Sequence, residues 1–176
     1  PRSGERAILV DVLMAHAALL EDREEAAAAW RDAGALARAE DRLDEAEDAY
    51  ERVLVLAPGD LSSLRALEDM AAQRGDVAAV CRCLEGQLRS TTEPEQRVEL
   101  ARRLGETRRR SGDVAGAANA FDLALRDVEG GDERVALIRS LIPCLRQLGR
   151  HGALVELLGD GAAASSEDRI PWLLER

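Results

Sequence analysis

The stretch from Ala27 to Asp60 constrains the fold of this 176-residue chain more than any other. Two segments with apolar residues at helical spacing flank a short polar turn at Glu40 to Arg42. Gly34 and Ala46 stand where the backbones of two antiparallel helices would have to approach closely, and Trp30 and Tyr50 supply bulk to fill the gaps. The stretch therefore predicts a tightly packed helical hairpin.

The spacing of six landmark residues resembles the tetratricopeptide repeat. They are Trp30, Gly34, Ala46, Tyr50, Val53 and Pro58. The stretch departs from the family with Ala33 for Leu, Ala37 for Tyr, and Asp41 where the family usually turns on Gly. The resemblance implies hairpins that stack into an array and an interaction scaffold as the class of function.

The same pattern returns 71 positions later. The recurring residues are Ala101, Leu104-Gly105, Gly112, Ala117, Phe121 and Ala124. A shorter apolar run that begins at Leu9 recurs at Val80 and again at Leu154. The constant offset indicates an internal repeat whose unit is a pair of hairpins, one close to the family pattern and one degenerate. We expect Trp30, Tyr50 and Phe121 to be core residues.

These repeats predict an all-α protein, an α-solenoid that forms a right-handed superhelix of antiparallel hairpins with about ten helices. The expected hairpins cover residues 27–60, 61–90, 95–128 and 132–160, with partial repeats at 5–20 and 166–176. Ala and Leu dominate and only 2% of residues are aromatic, which favours helix throughout. Both ends look excised from a longer array.

Several local signals predict where the helices begin and end. Asp44 and then Asp60 or Ser62 are expected N-caps, and Gly75 is expected to end one helix. Thr92 to Glu95 has the spacing of a capping box.

Near the end of the chain three features are expected. Pro143 should kink its helix, because it removes a backbone donor. Gly159 to Ser166 should be a flexible link to a last helix that enters at Glu167, and Trp172 could be a core residue or an exposed contact.

Composition narrows the functional classes. A formal net charge of -10 disfavours nucleic acid and anionic membranes as partners. The three cysteines and two histidines have no metal-ligand spacing, so no metal or other cofactor is expected, and the unpaired cysteines favour a cytoplasmic setting. No catalytic constellation is visible, so we do not expect an enzyme. Paired carboxylates such as Glu47-Asp48 are expected to lie on exposed helix faces where nothing would shift their pKa.

A column of arginines is the sharpest functional signal. In proteins that resemble this one, the first helix of each hairpin lines the concave surface, where partners bind. The seven candidate groove residues are Arg31, Arg38, Arg65, Arg102, Arg109, Arg139 and Arg146. Guanidinium groups grip carboxylates in a bidentate way, so we expect a partner protein or an acidic peptide. The alternative is that these arginines pair with neighbouring Glu and Asp and only solvate a helix face.

Two other functions remain open. The array could be a structural spacer or an oligomerisation segment that self-associates through its ends. It could also be a regulatory or sensor segment of a larger effector protein.

Overall fold

The structure is a computed structural model that describes residues 3–164, with side chains described for residues 6–157. Within that range every regular element is an α-helix, as the sequence predicts. The helices are α1 (Ser3–Leu19), α2 (Arg23–Ala39), α3 (Leu43–Leu56), α4 (Leu61–Arg74), α5 (Val77–Ser90), α6 (Pro94–Arg110), α7 (Val114–Arg126), α8 (Gly131–Gln147) and α9 (His151–Ala164).

The chain divides into two compact units, residues 1–92 and 93–176. In unit 1, α1 packs on α2, α2 on α3, α3 on α4 and α4 on α5. Its core includes Val10 from α1, Tyr50 from α3, Leu67 and Met70 from α4 and Cys83 from α5. Short turns bring successive helices into contact, and the stacked helices bury a continuous apolar layer between them.

Unit 2 repeats this arrangement, with α6 on α7, α7 on α8 and α8 on α9. Phe121 of α7 is fully buried, and Leu137 and Leu141 of α8 are buried beside Ile138 and Leu145. The apolar stripes read from the sequence are thus the buried faces of these helices.

The close approaches expected within the hairpins are present. A β-carbon placed on Gly34 would lie 3.1 Å from the Tyr50 ring, and one on Gly105 would lie 2.6 Å from the Phe121 ring. Tyr50 and Phe121 are buried, as predicted. Trp30, also expected in the core, is only half-buried, and the guanidinium carbon of Arg52 lies 5.9 Å from the centroid of its ring.

Two of the expected caps are correct. Asp60 is the N-cap of α4, where its carboxylate accepts a hydrogen bond from the Ser63 amide at 2.8 Å. Gly75 ends α4 in the left-handed conformation, with φ of 72°, and Asp76 caps α5. Side-chain acceptors at these positions satisfy amides that the first helical turn leaves unpaired.

Two other expected caps are wrong. Asp44 lies inside the first turn of α3, whose N-cap is Arg42, because Asp41 takes a positive φ of 61° and closes the turn earlier. The expected capping box at Thr92 is absent, since Pro94 occupies the first helical position and moves the N-cap to Glu93.

Near the end of the described chain, α8 continues through Pro143 as one helix, and Pro143 lies on its exposed side. The kink expected at Pro143 stays a prediction. The link expected from Gly159 is wrong over residues 159–164, where α9 continues and Ala162 to Ala164 supply strong helix formers. The predicted helix from Glu167, and Trp172 with it, lie outside the described residues.

Candidate functional site

Arg31 on α2 is part of a structural ion pair. Its guanidinium donates to the carboxylate of Asp60 at 2.7 Å, and Ser62 also donates to that carboxylate at 2.5 Å. Burial alone would raise the pKa of Asp60, but the hydrogen bonds from Ser62, Ser63 and Arg31 outweigh it and lower the pKa to about 2. Arg31 thus ties α2 to the start of α4.

Arg38 makes a second connection of the same kind. Two helical turns after Arg31, it donates to Asp69 of α4 at 3.4 Å. Arg65, also on α4, is exposed and has no ion pair among the described residues. Two of the three candidate arginines of unit 1 are therefore engaged between neighbouring first helices.

Arg102 of unit 2 is engaged within its own helix. It donates to Glu99 at 2.7 Å and to Glu106 at 2.6 Å, at i-3 and i+4 spacing on α6. The hydrogen bond with Glu99 is the main reason that the pKa of Arg102 is raised. The alternative interpretation, in which the arginines pair with neighbouring acids, accounts for this residue as well.

Arg109 and Arg146 are different. Both are exposed, and neither has an ion pair among the described residues. Arg109 on α6 lies close enough to Cys144 on α8 to oppose the rise in the pKa of that thiol that burial causes. Arg109 lies in the last turn of α6 and Arg146 in the last turn of α8, and we call these two residues the arginine edge. Arg139 is exposed on α8, two helical turns before Arg146.

Sequence reasoning missed several ion pairs in unit 1, among them those of Arg42 and Arg74 and the pair of Arg6 with Glu40 at 3.1 Å. Arg42 joins the α2–α3 turn to α1, donating to Asp11 and to the Ala7 carbonyl at 2.6 Å. Arg74 donates to both carboxylate oxygens of Glu47, at 2.5 and 2.6 Å, and lowers its pKa. The expectation that nothing would shift the pKa of Glu47 is therefore wrong, because the last turn of α4 returns beside α3.

Besides the arginines, the described residues form one notable cleft. A cleft of about 320 Å³ opens among α7, α8 and α9, lined by Asn119, Asp122, Arg150 and Glu156 over an apolar floor, and it does not include the arginine edge. The described residues hold no group of three His, Cys, Asp or Glu side chains placed to bind a metal ion. None of their helices is both long and apolar enough to span a membrane.

These features define an all-α protein built of stacked helical hairpins. Two solved structures are similar to it over nearly their whole length. A Podosopora anserina protein of nearly identical TPR-like repeats, named for the kinesin light chain, has a TM-score of 0.50 and 18% identity, with 95% of this chain and 90% of that chain covered. MamA of AMB-1 has a TM-score of 0.50 and 16% identity, with 98% of each chain covered.

At such low identity the likeness concerns the fold alone. The chain has the TPR-like α-solenoid fold that its internal repeat indicates. No protein-family model matches the sequence, and no curated protein matches it.

Proposed function

We propose that this chain is a protein-interaction module that binds an acidic segment of a partner protein at the arginine edge of unit 2. The observation that carries the proposal is the state of Arg109 and Arg146, which are exposed and lack an acidic partner among the described residues. The tetratricopeptide resemblance supports the class of function, since such repeats imply partner binding on the first helices of the hairpins. α6 and α8 are the first helices of unit 2.

The charge of the whole chain makes the edge selective. With a formal net charge of -10, the long-range field repels polyanions, so only a partner that reaches the guanidinium groups directly gains from them. Arg offers a planar fork that bonds a carboxylate through two parallel hydrogen bonds. A short acidic peptide fits this requirement better than a nucleic acid, whose many phosphates would meet the acidic remainder of the surface. The free cysteines support a cytoplasmic setting.

A structural spacer is the second candidate, and it also rests on an observation. The pairs of Arg31 with Asp60 and of Arg38 with Asp69 connect successive first helices. If the other candidate arginines serve the same purpose, the column stabilises stacking and no partner is needed.

The test compares two double variants that make the same charge change. Arg109→Glu with Arg146→Glu alters the arginine edge, whereas Arg82→Glu with Arg89→Glu alters two exposed arginines on α5, a second helix. Fluorescein-labelled 12-residue peptides rich in Glu and Asp are titrated by fluorescence polarisation, beside the same peptides with Gln and Asn. We expect acidic peptides to bind the unmodified chain and the α5 variant, and to bind the edge variant at least about tenfold more weakly.

Equal binding by the two variants would refute the site. Equal binding of the acidic and the neutral peptides would refute the chemistry and favour the spacer. Circular dichroism of each variant before titration verifies that helix content is unchanged.

A further inference from the structure

α1 carries an apolar stripe that nothing covers among the described residues. Ile8, Val12 and Leu19 are 64%, 56% and 82% exposed, and Ala15 between them is also exposed. Their spacing of four, three and four residues places them on one side of the helix. Val10, by contrast, is fully buried in the core of unit 1. α1 therefore has two apolar sides, and only one of them is packed.

The internal repeat shows what such a stripe packs against. The positions 71 residues later lie on α5 and are Ala79, Cys83, Gly86 and Ser90. On α5 this side faces α4: a β-carbon on Gly86 would lie 2.7 Å from the Leu64 side chain, and Cys83 shares a core cluster with Leu67. The same stripe that α4 covers on α5 is thus left open on α1.

From this equivalence we infer that the stripe of α1 is a docking surface for the first helix of a further helical hairpin. That helix would resemble α4, whose residues Leu64, Leu67 and Ala71 line the side next to α5. Ala15 stands where α5 has Gly86, so the covering helix needs a residue smaller than leucine opposite it.

A polar contact adds a second requirement. On α5, Gln87 is buried and donates to the buried carboxylate of Glu68 on α4 at 2.6 Å. The position equivalent to Gln87 on α1 is His16, which is exposed. We therefore expect the covering helix to carry an acidic residue at the position equivalent to Glu68, four residues after the position equivalent to Leu64. The imidazole of His16 can donate a hydrogen bond to that carboxylate.

A second copy of this chain does not supply such a helix from its described part. The four first helices, α2, α4, α6 and α8, already pack against α3, α5, α7 and α9 respectively. The occupant is therefore the first helix of another hairpin, stacked on α1 as α4 is stacked on α5.

The test supplies that helix in the register of the repeat. A second copy of residues 58–76, with Leu64→Ala in the added copy, is fused directly ahead of Arg6, because position 76 is equivalent to position 5. We expect amide hydrogen exchange along α1 to slow at least about tenfold relative to the unmodified chain, since a covered helix frays less.

Val12→Glu provides the matched control in both backgrounds. In the unmodified chain Val12 is exposed, so the substitution should leave the melting temperature within about 1 °C. In the chimera the same charge would be buried at the new interface and should lower the melting temperature by about 5 °C or more.

Three outcomes would overturn the inference. The first is an equal effect of Val12→Glu in both backgrounds, and the second is a chimera that does not fold cooperatively. The third is a dimer of the unmodified chain that Val12→Glu dissociates in sedimentation analysis, because it would make a second copy the occupant.

Discussion

Substituting Gly105 by alanine tests whether the hairpins are held by close contact between a helix backbone and an aromatic ring. The added β-carbon would lie 2.6 Å from Cε1 and 2.8 Å from Cδ1 of Phe121, about 1 Å inside an ordinary carbon contact. Phe121 is fully buried and cannot rotate away into solvent. Overpacking of this kind costs about 1–3 kcal/mol, while replacing Gly by Ala inside a helix returns about 1 kcal/mol. We expect a net loss of up to about 2 kcal/mol in the free energy of unfolding.

Gly34 provides the matched comparison, because it holds the same position in the other hairpin. There the new β-carbon would lie 3.1–3.3 Å from Tyr50 and Ala49, an overlap of only a few tenths of an ångström. The gain in helix propensity should offset it, so Gly34→Ala is expected to change stability by less than about 0.5 kcal/mol.

Urea unfolding followed by circular dichroism gives both free energies, and amide exchange assigns each effect to α6–α7 or to α2–α3. Adding Phe121→Leu to Gly105→Ala should recover part of the loss, so that the double variant is more stable than the two separate effects predict. The reasoning fails if Gly105→Ala stabilises the protein, or if Gly34→Ala costs as much as Gly105→Ala.

Three further predictions follow from single residues. Because the pKa of Asp60 is lowered from 3.8 to about 2, the ionised carboxylate stabilises the folded chain by about 2 kcal/mol above pH 4, and this is lost as the pH falls through 2. Asp60→Asn should therefore reduce the change in the free energy of unfolding between pH 4 and pH 2, measured by urea titration. An unchanged slope would contradict this. Burial raises the pKa of Cys83 to about 11, so iodoacetamide at pH 8 should modify Cys81 at least about tenfold faster in the native protein, with the difference vanishing in urea. Gly75 has φ of 72° and open space around it, so Gly75→Ala should cost about 1 kcal/mol through backbone strain alone, whereas Gly75→Asn should cost less, and equal losses for the two would argue against that cause.

The helices and their pairing could be predicted from the sequence because they depend on local spacing. The 71-residue offset places Gly34 and Gly105 at equivalent positions, and both meet the aromatic ring that the pattern assigns to them. The N-caps were less predictable, since several acceptors compete within a few residues. Asp44 is not the N-cap of α3 because the positive φ of Asp41 closes the turn earlier. Thr92 is not the N-cap of α6 because Pro94 occupies the first helical position.

The candidate site was harder to predict, because an exposed arginine can reach acids on more than one element. Helical spacing correctly placed the arginines on the first helices, but it could not say which of them meets a carboxylate. Arg31 and Asp60 are 29 positions apart, and Arg38 and Asp69 are 31 apart, so both pairs depend on how one first helix lies against the next. Arg102 instead finds both of its acids on its own helix.

The pairs Arg31–Asp60 and Arg38–Asp69 share a sequence separation of about one hairpin. An arginine on one first helix pairs with an acid about one hairpin later, and Arg97 with Asp127, at 2.8 Å and 30 positions apart, is a further instance. Positions 29 after Arg102 and 31 after Arg109 hold Gly131 and Ser140, neither of which can accept an ion pair. Unit 1 therefore uses this spacing to join its first helices, whereas in unit 2 the acid that would engage Arg109 is missing from the sequence at the expected place. We therefore predict that a partner's carboxylate binds more strongly at Arg109 than at Arg31 or Arg38, because the guanidinium groups of those two residues are already paired.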